Sequence, residues 1–373
     1  MKISNLNIFG KELDKYLFKK FVRNFIFSIT ILLLIVFLVE FVELLRRTSQ
    51  ISDVSSIFYV LYLAFLKITE SISFIIPISF FASTMWTCRD FSKYREMVII
   101  QNTGLNSFRI LYPFIFFTLL FSLIYFSILN PFFSHATNSY QKIEQEVFRG
   151  KLSKFSISKS GIWLRQGSEN NKVVIRAKNY LPNNGIFEGI TFYIYTKKNT
   201  FIERIDAGEA RLEENFWIMK DVIINKPSKK VIKIDEYTLK TNLSISKIEN
   251  SFLDPQSLSI WKIPSFIKLL KESGFSPVKH QLYLYKTLFL PLYLIGLILI
   301  AGSFTIKFTK TNIRTFLMVL TGIVTGFLIH VLSETIYSLG IANKLPVWVA
   351  SLSPSIITIM IGGFFVIHFE KTD

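Results

Sequence analysis

The chain of 373 residues holds one cysteine, Cys88, and four histidines. A single thiol excludes an intrachain disulfide and offers no cysteine cluster for a metal. Walker A, G-x-S-x-G and H-E-x-x-H motifs are all missing, and no pair of carboxylates stands in a recognisable catalytic frame. His135, His280, His330 and His368 are scattered along the chain. Nucleotide hydrolysis, acyl transfer and metal-assisted hydrolysis therefore have little to stand on here. Acidic residues are also few, with 26 Asp and Glu against 43 Lys and Arg and a formal net charge of +17. The basic surplus is spread over termini, loops and the middle of the chain. No basic helix, finger or RNP-like run focuses it, so a nucleic-acid partner is discounted in favour of anionic lipid.

What the chain has in quantity is apolar sequence, at 50% of residues. It is concentrated in six runs, Phe21–Leu45, Phe58–Thr87, Phe108–Leu129, Leu282–Ile306, Ile313–Leu339 and Pro346–Phe369. Each can supply the roughly 20 residues that a helix needs to cross about 30 Å of hydrocarbon. Residues 11–21 add a short basic amphipathic helix ahead of the first run, with Leu13, Tyr16, Leu17 and Phe21 at helical spacing among lysines. The first run is not expected to be a cleaved signal, because Glu40, Glu43, Arg46 and Arg47 follow it instead of a small-residue cleavage pattern. Six spans place both termini on one side and the polar tract 131–280, which follows span three, on the other. Lys2, Lys11, Lys15, Lys19, Lys20, Arg23, Arg89, Lys93, Arg95 and Arg109 crowd the terminal side, joined by Lys307, Lys310, Arg314 and Lys371. The opposite short loops hold only Arg46, Arg47 and Lys344. That asymmetry makes the termini cytoplasmic.

The exported tract reads as β-rich. Val173–Ala177, Ile190–Tyr195 and Phe216–Ile224 are β-branched and aromatic runs, punctuated by Gly161, Asn183-Asn184-Gly185 and Lys226-Pro227-Ser228. Strands at this spacing suggest an antiparallel sandwich or jelly roll. Residues 264–273 close the tract as a short amphipathic helix. The predicted fold is an α-helical membrane protein with six transmembrane helices in a three-plus-three arrangement and an inserted all-β, jelly-roll-like domain. Its parts are residues 1–130, the domain 131–280, and residues 281–373.

Several constellations carry more than one reading. Arg46 and Arg47 end span one as interfacial anchors, or as a bidentate grip on a lipid phosphate. Lys67 and Glu70 share a helix face in span two and either pair with each other or meet a cavity and an anionic head group. His330 sits inside span five, where an ionisable group marks either a functional cavity or a bond to a neighbouring helix. The segment from Arg89 to about Gly104 is a short cytoplasmic helix between two spans, which either docks in a groove on a partner or lies on the membrane.

Together these pieces resemble the LptF/LptG (YjgP/YjgQ) permease family of the lipopolysaccharide-exporting ABC transporter. The resemblance rests on Phe41-Val-Glu-Leu-Leu-Arg-Arg47 and on Ser92-Lys-Tyr-Arg-Glu-Met-Val-Ile-Ile-Gln-Asn-Thr-Gly104, which is similar to the family's coupling helix. Ser160-Gly-Ile-Trp-Leu-Arg165, Leu258-Ser-Ile-Trp-Lys-Ile-Pro-Ser-Phe-Ile267 and Leu320-Thr-Gly-Ile-Val-Thr-Gly-Phe327 add to it. Order and spacing make the set specific, it covers essentially the whole chain, and the span-five run is more similar to LptG than to LptF.

The resemblance implies a transport subunit, not an enzyme. Tyr94, Arg95, Glu96, Met97 and Gly104 would contact a separate LptB-like ATPase dimer, which would hold ATP and Mg, so that this chain binds no cofactor or metal. Arg46, Arg47 and, less directly, Lys67 would meet the phosphates of lipopolysaccharide, while Glu40 departs from relatives that carry a basic residue there. Phe327 and His330 would line the substrate cavity. An LptF-like paralogue, an LptC-like single-span protein and an LptA-like periplasmic bridge would complete the assembly in a Gram-negative inner membrane, with the β-domain periplasmic. The competing reading is a membrane-anchored scaffold or receptor whose β-domain binds a partner without lipid transport. A membrane-embedded lipid-modifying enzyme is a third, weakened by the absence of a converging nucleophile, base and metal set.

Overall fold

The computed structural model of the protein describes residues 3–49, 56–93, 107–147, 162–167, 171–181, 186–196, 200–213, 216–227, 230–241, 253–272, 275–306 and 312–370. It divides into two compact units, one of Met1–Thr137 with Gln281–Asp373 and the other of Asn138–His280.

Among the described residues the first unit is built of helices. Helix α1 runs unbroken over Ile3–Thr48, so the predicted amphipathic segment is its opening turns and not a separate element. The reason is packing. Leu17, Phe21 and Phe25 face inward on successive turns, and Phe21 stacks on Phe114 at 4.4 Å between ring centroids while Phe25 meets Phe80 at 4.6 Å. Helix α2, Ile57–Lys93, carries Pro77 without breaking, as membrane helices can when neighbouring groups satisfy the freed backbone. Arg89 to Lys93 are therefore the last turn of span two. The rest of the predicted coupling segment, Tyr94, Arg95, Glu96, Met97 and Gly104, lies outside the described residues.

Two predicted boundaries differ from what is seen. Asn130-Pro131 does not terminate span three. Helix α3, Ser107–Ile124, passes through a π-helical turn at Tyr125–Leu129 and continues as α4, Asn130–Val147. The Asn130 N–H reaches back five residues to the Tyr125 carbonyl, and this widened turn precedes the residue that lacks an N–H and would crowd the ordinary helical ladder. Span four is likewise two helices separated at Phe289, bent by 52°. Pro291 stands at the second position of the helix that follows the break, where its fixed φ and missing N–H are tolerated. After β1–β6 and α5, introduced below, these two helices are α6, Val278–Leu288, and α7, Leu290–Ile306. Spans five and six are α8, Asn312–Ile341, and α9, Val347–Glu370. The turn between them uses Asn343 at φ 56°, with the Lys344 N–H closing onto the Leu339 carbonyl at 2.9 Å, a left-handed helix stop of the kind Asn supports. Among the described residues five helices are long and apolar enough to span a membrane, and six if the bent pair counts as one.

The second unit is built on strands β1–β6, Ile162–Gly167, Asn171–Leu181, Ile186–Thr196, Phe201–Glu213, Phe216–Asn225 and Ile232–Lys240. They form one antiparallel sheet in sequential order. Among the described residues the sheet is a meander, without the sheet-crossing connections of a jelly roll. Its register lines buried side chains into rows, with Ile175 opposite Phe192, Phe192 opposite Ile205 and Ile205 opposite Ile224. Such cross-strand apolar rows hold a sheet in one register, because a slip by one residue would turn them all to the other face. Trp217 is fully buried and meets Phe187 and Phe192 edge to face at 5.1 and 5.5 Å. Helix α5, Ile263–Glu272, follows, with Ile263, Ile267 and Leu270 buried on its apolar side.

Candidate functional site

A charged cluster occupies the end of α1. Glu40 and Glu43 lie one turn apart and both face Lys67 of α2, whose Nζ is 2.5 Å from Glu40 Oε2 and 3.2 Å from Glu43 Oε2. Arg47 pairs with Glu43 on the next turn. The Lys67 side chain is 12% exposed and that of Glu40 17%, whereas Glu43 is 34% exposed. The sequence leaves Lys67 either pairing with Glu70 or meeting an anionic head group, and the structure brings Glu40 and Glu43 of the neighbouring helix against it. Arg46 is exposed at the same end. Three cations against two carboxylates leave the cluster one net positive charge, with Lys67 held and the arginines outermost.

The second region surrounds α8. Gly322, Gly326 and His330 recur every fourth residue and share the face turned toward α2. A Cβ on Gly326 would lie 2.8 Å from the Phe81 ring, and one on Gly322 2.2 Å from Met85 Cε. Small residues at this spacing let two membrane helices approach closely. His330 follows on the same face, 6% exposed, with its ring 4.6 Å from that of Phe74. Phe327, three residues earlier, is 61% exposed. The two predicted cavity residues lie three positions apart on one side of α8, His330 buried and Phe327 outermost, and they share one feature. Both border a cavity of about 180 Å³ between α2, α7 and α8, lined chiefly by Pro77, Phe81, Met85 and Leu297. A narrower polar crevice adjoins it at Tyr293 and His330. There Lys286 Nζ sits 2.6 Å from Glu334 Oε1 and 4.5 Å from the centroid of the Tyr337 ring. Sequence reasoning missed this Lys286–Glu334 pair, although a lysine and a glutamate inside two apolar runs were the available signal.

Burial separates the spans into two kinds. The most apolar stretch of α1 is 6% buried and that of α8 is 11% buried, against 39–44% for spans two, three and six. On α1, Phe27, Ile31, Leu34, Leu38 and Val42 stand exposed in helical succession, and on α8 Ile323, Val324, Phe327, Leu328 and Val331 do the same. No group of three or more metal-ligating side chains converges among the described residues.

The family model described as lipopolysaccharide export system permease LptF/LptG matches residues 15–368. The chain belongs to the LptF/LptG permease family. A curated relative, the lipopolysaccharide export system permease protein LptG of Haemophilus influenzae, is 23% identical over 300 residues, covering 79% of this chain and 82% of that one. The LptG of Escherichia coli K12 is 27% identical over 220 residues, 57% of this chain and 58% of its own. The helices described above are those of a multi-pass membrane protein of this family, on its LptG side, and the chain is a transport subunit.

Proposed function

We propose that this chain is the LptG-like half of the permease in an ABC transporter that extracts lipopolysaccharide from the inner membrane and passes it to a periplasmic bridge. The observation that carries the reading, beside family membership, is the pair of uncovered apolar spans, α1 and α8. A lipid with several acyl chains resists transfer through water because each exposed methylene costs about 0.8 kcal/mol. Its route needs apolar walls open sideways to the bilayer, and two spans with bare apolar faces provide half of them. The opposite half would come from an LptF-like paralogue. At the mouth, Arg46 and Arg47 offer planar, bidentate donors suited to phosphate.

ATP hydrolysis belongs to a separate LptB-like dimer, which holds ATP and Mg. Tyr94, Arg95, Glu96, Met97 and Gly104 form the contact through which closure of that dimer narrows the cavity. An LptC-like single-span protein and an LptA-like bridge receive the lipid from the β-domain. The termini are cytoplasmic and the β-domain periplasmic, in line with the Lys and Arg asymmetry of the short loops.

The test begins with purification of the tagged chain from bacterial membranes in mild detergent and identification of its companions by mass spectrometry. Recovery of a P-loop ATPase together with a second six-span protein of similar length supports the exporter. Recovery of soluble partners alone supports the scaffold reading instead. In the intact complex Glu96→Lys reverses the acidic contact, and the expected result is loss of ATPase association or of ATP-driven export. Normal growth with the ATPase still bound would count against the assignment.

A further inference from the structure

We propose that the cavity between α2, α7 and α8 is a binding slot for a single acyl chain, with the imidazole of His330 holding a carbonyl or hydroxyl oxygen near its polar end. The slot lies within this one chain and includes Phe327 and His330, which the exporter reading places in the wall of the substrate cavity, so the inference rests on that reading's placement of α8 and deepens it.

Three observations converge. The volume of about 180 Å³ exceeds the about 150 Å³ at which an apolar protein cavity takes up a benzene-sized guest, room for about six carbons of a chain whose remainder leaves through the mouth. The lining is aliphatic and aromatic, and two rim residues, Ile323 and Phe327, are 58% and 61% exposed on the outer side of α8. A chain lying in the hydrocarbon beside α8 therefore meets an apolar mouth with no water to cross. Finally, His330 is 94% withdrawn from the surface, lines the slot, and neither ring nitrogen has a hydrogen-bond partner among the described residues. A neutral imidazole carries one donor and one acceptor, and leaving both unmet in an apolar setting is costly. An acyl ester or a hydroxylated chain supplies the missing oxygen while its methylenes fill the apolar part. The glycines complete the arrangement, since Gly326 lets α8 approach Phe81 closely enough to form one wall.

The chain could come from a bilayer phospholipid or from exported lipopolysaccharide, and the experiment separates them. The purified complex is reconstituted in liposomes of phosphatidylethanolamine carrying a diazirine on one acyl chain, or in liposomes doped with diazirine-labelled lipopolysaccharide. After illumination, adducts are mapped by mass spectrometry. The expected adducts fall on Phe81 and Met85, with Leu123, 64% exposed on span three, reporting the general lipid-facing surface. Ala82→Phe fills the slot from α2 and Ile323→Trp narrows its mouth from an exposed position. Each lowers Phe81 and Met85 labelling relative to Leu123 by about tenfold. His330→Leu keeps bulk, removes both nitrogens and lowers the same labelling by about fivefold, in the range of one net hydrogen bond. Adducts confined to surface positions such as Leu123, or slot adducts undiminished in both filling variants, would overturn the slot. Undiminished labelling in His330→Leu would overturn the role of the imidazole. Labelling by phospholipid does not depend on the cargo, so failure of the slot and failure of the exporter reading are distinguishable.

Discussion

Lys67 shows how one residue's role depends on neighbours distant in sequence. It lies 24 residues beyond Glu43, and its ammonium is shared between Glu43 and Glu40 on the adjoining helix. An arriving phosphate must compete with these two carboxylates. Glu40→Gln removes one competitor and raises the net charge of the cluster by one. Two unit charges about 4 Å apart interact by about 1 kcal/mol in bulk water and by more where they are partly enclosed, so affinity for lipopolysaccharide should rise by at least about fivefold. The gain should shrink only modestly as salt is raised, because partly buried charges are screened much less than exposed ones. Titration of the complex in nanodiscs at two ionic strengths checks this, and weaker binding by Glu40→Gln would mean that the carboxylate supports the site. The basic residues themselves were legible in the sequence from their position at the end of an apolar run. Their pairing was not, because which helix faces which is settled by packing and leaves no trace in local spacing. The same limit applies to Phe327 and His330, whose unequal burial on one side of α8 depends on where α2 and α7 lie.

At the scale of elements, the apolar runs announced nearly every span, since hydrocarbon leaves the backbone few alternatives to a helix. The interruptions were harder to read. Pro131 and Pro291 were visible, but whether a proline stops, bends or merely widens a helix depends on how surrounding groups satisfy the backbone. At Pro131 the helix widened into a π turn and continued, and near Pro291 it bent by 52°. Glycine contacts repeat the point. A Cβ on Gly296 of α7 would lie 2.3 Å from Thr358 Oγ1 and 2.8 Å from the backbone nitrogen of Ile359 on α9. On Gly322 it would meet only the flexible end of Met85. Gly296→Ala should therefore destabilise the membrane unit by about 1–3 kcal/mol, the range for overpacking a close interface. Gly322→Ala should cost less than about 1 kcal/mol, because Met85 can rotate away. Thermal unfolding of the purified complex in one detergent compares the two, and equal losses would show that α8 is as rigidly seated as α9.

At the scale of the whole molecule, the uneven burial of the spans bears on assembly. Lipid tails are as apolar as leucine, so bare faces on α1 and α8 impose no hydrophobic penalty on the isolated chain, and association there must come from packing and specific polar contacts. The exporter reading requires the two faces to border a shared space and not open lipid. Cys88 is buried and is the one native cysteine, so single engineered thiols can carry nitroxide labels with little background. Val39 on α1 and Leu328 on α8 are 62% and 54% exposed, and Leu123 on α3 is 64% exposed. Oxygen concentrates in hydrocarbon, so a label surrounded by lipid relaxes rapidly in its presence. Val39→Cys and Leu328→Cys labels should show high oxygen accessibility in the chain reconstituted alone. Accessibility should fall severalfold when the six-span companion is added, while the Leu123→Cys label stays unchanged. If all three positions respond alike, the companion covers the chain without preference and α1 and α8 are not the walls of a common cavity. If neither Val39→Cys nor Leu328→Cys changes, the bare faces meet only lipid and the transport route must lie elsewhere in the fold.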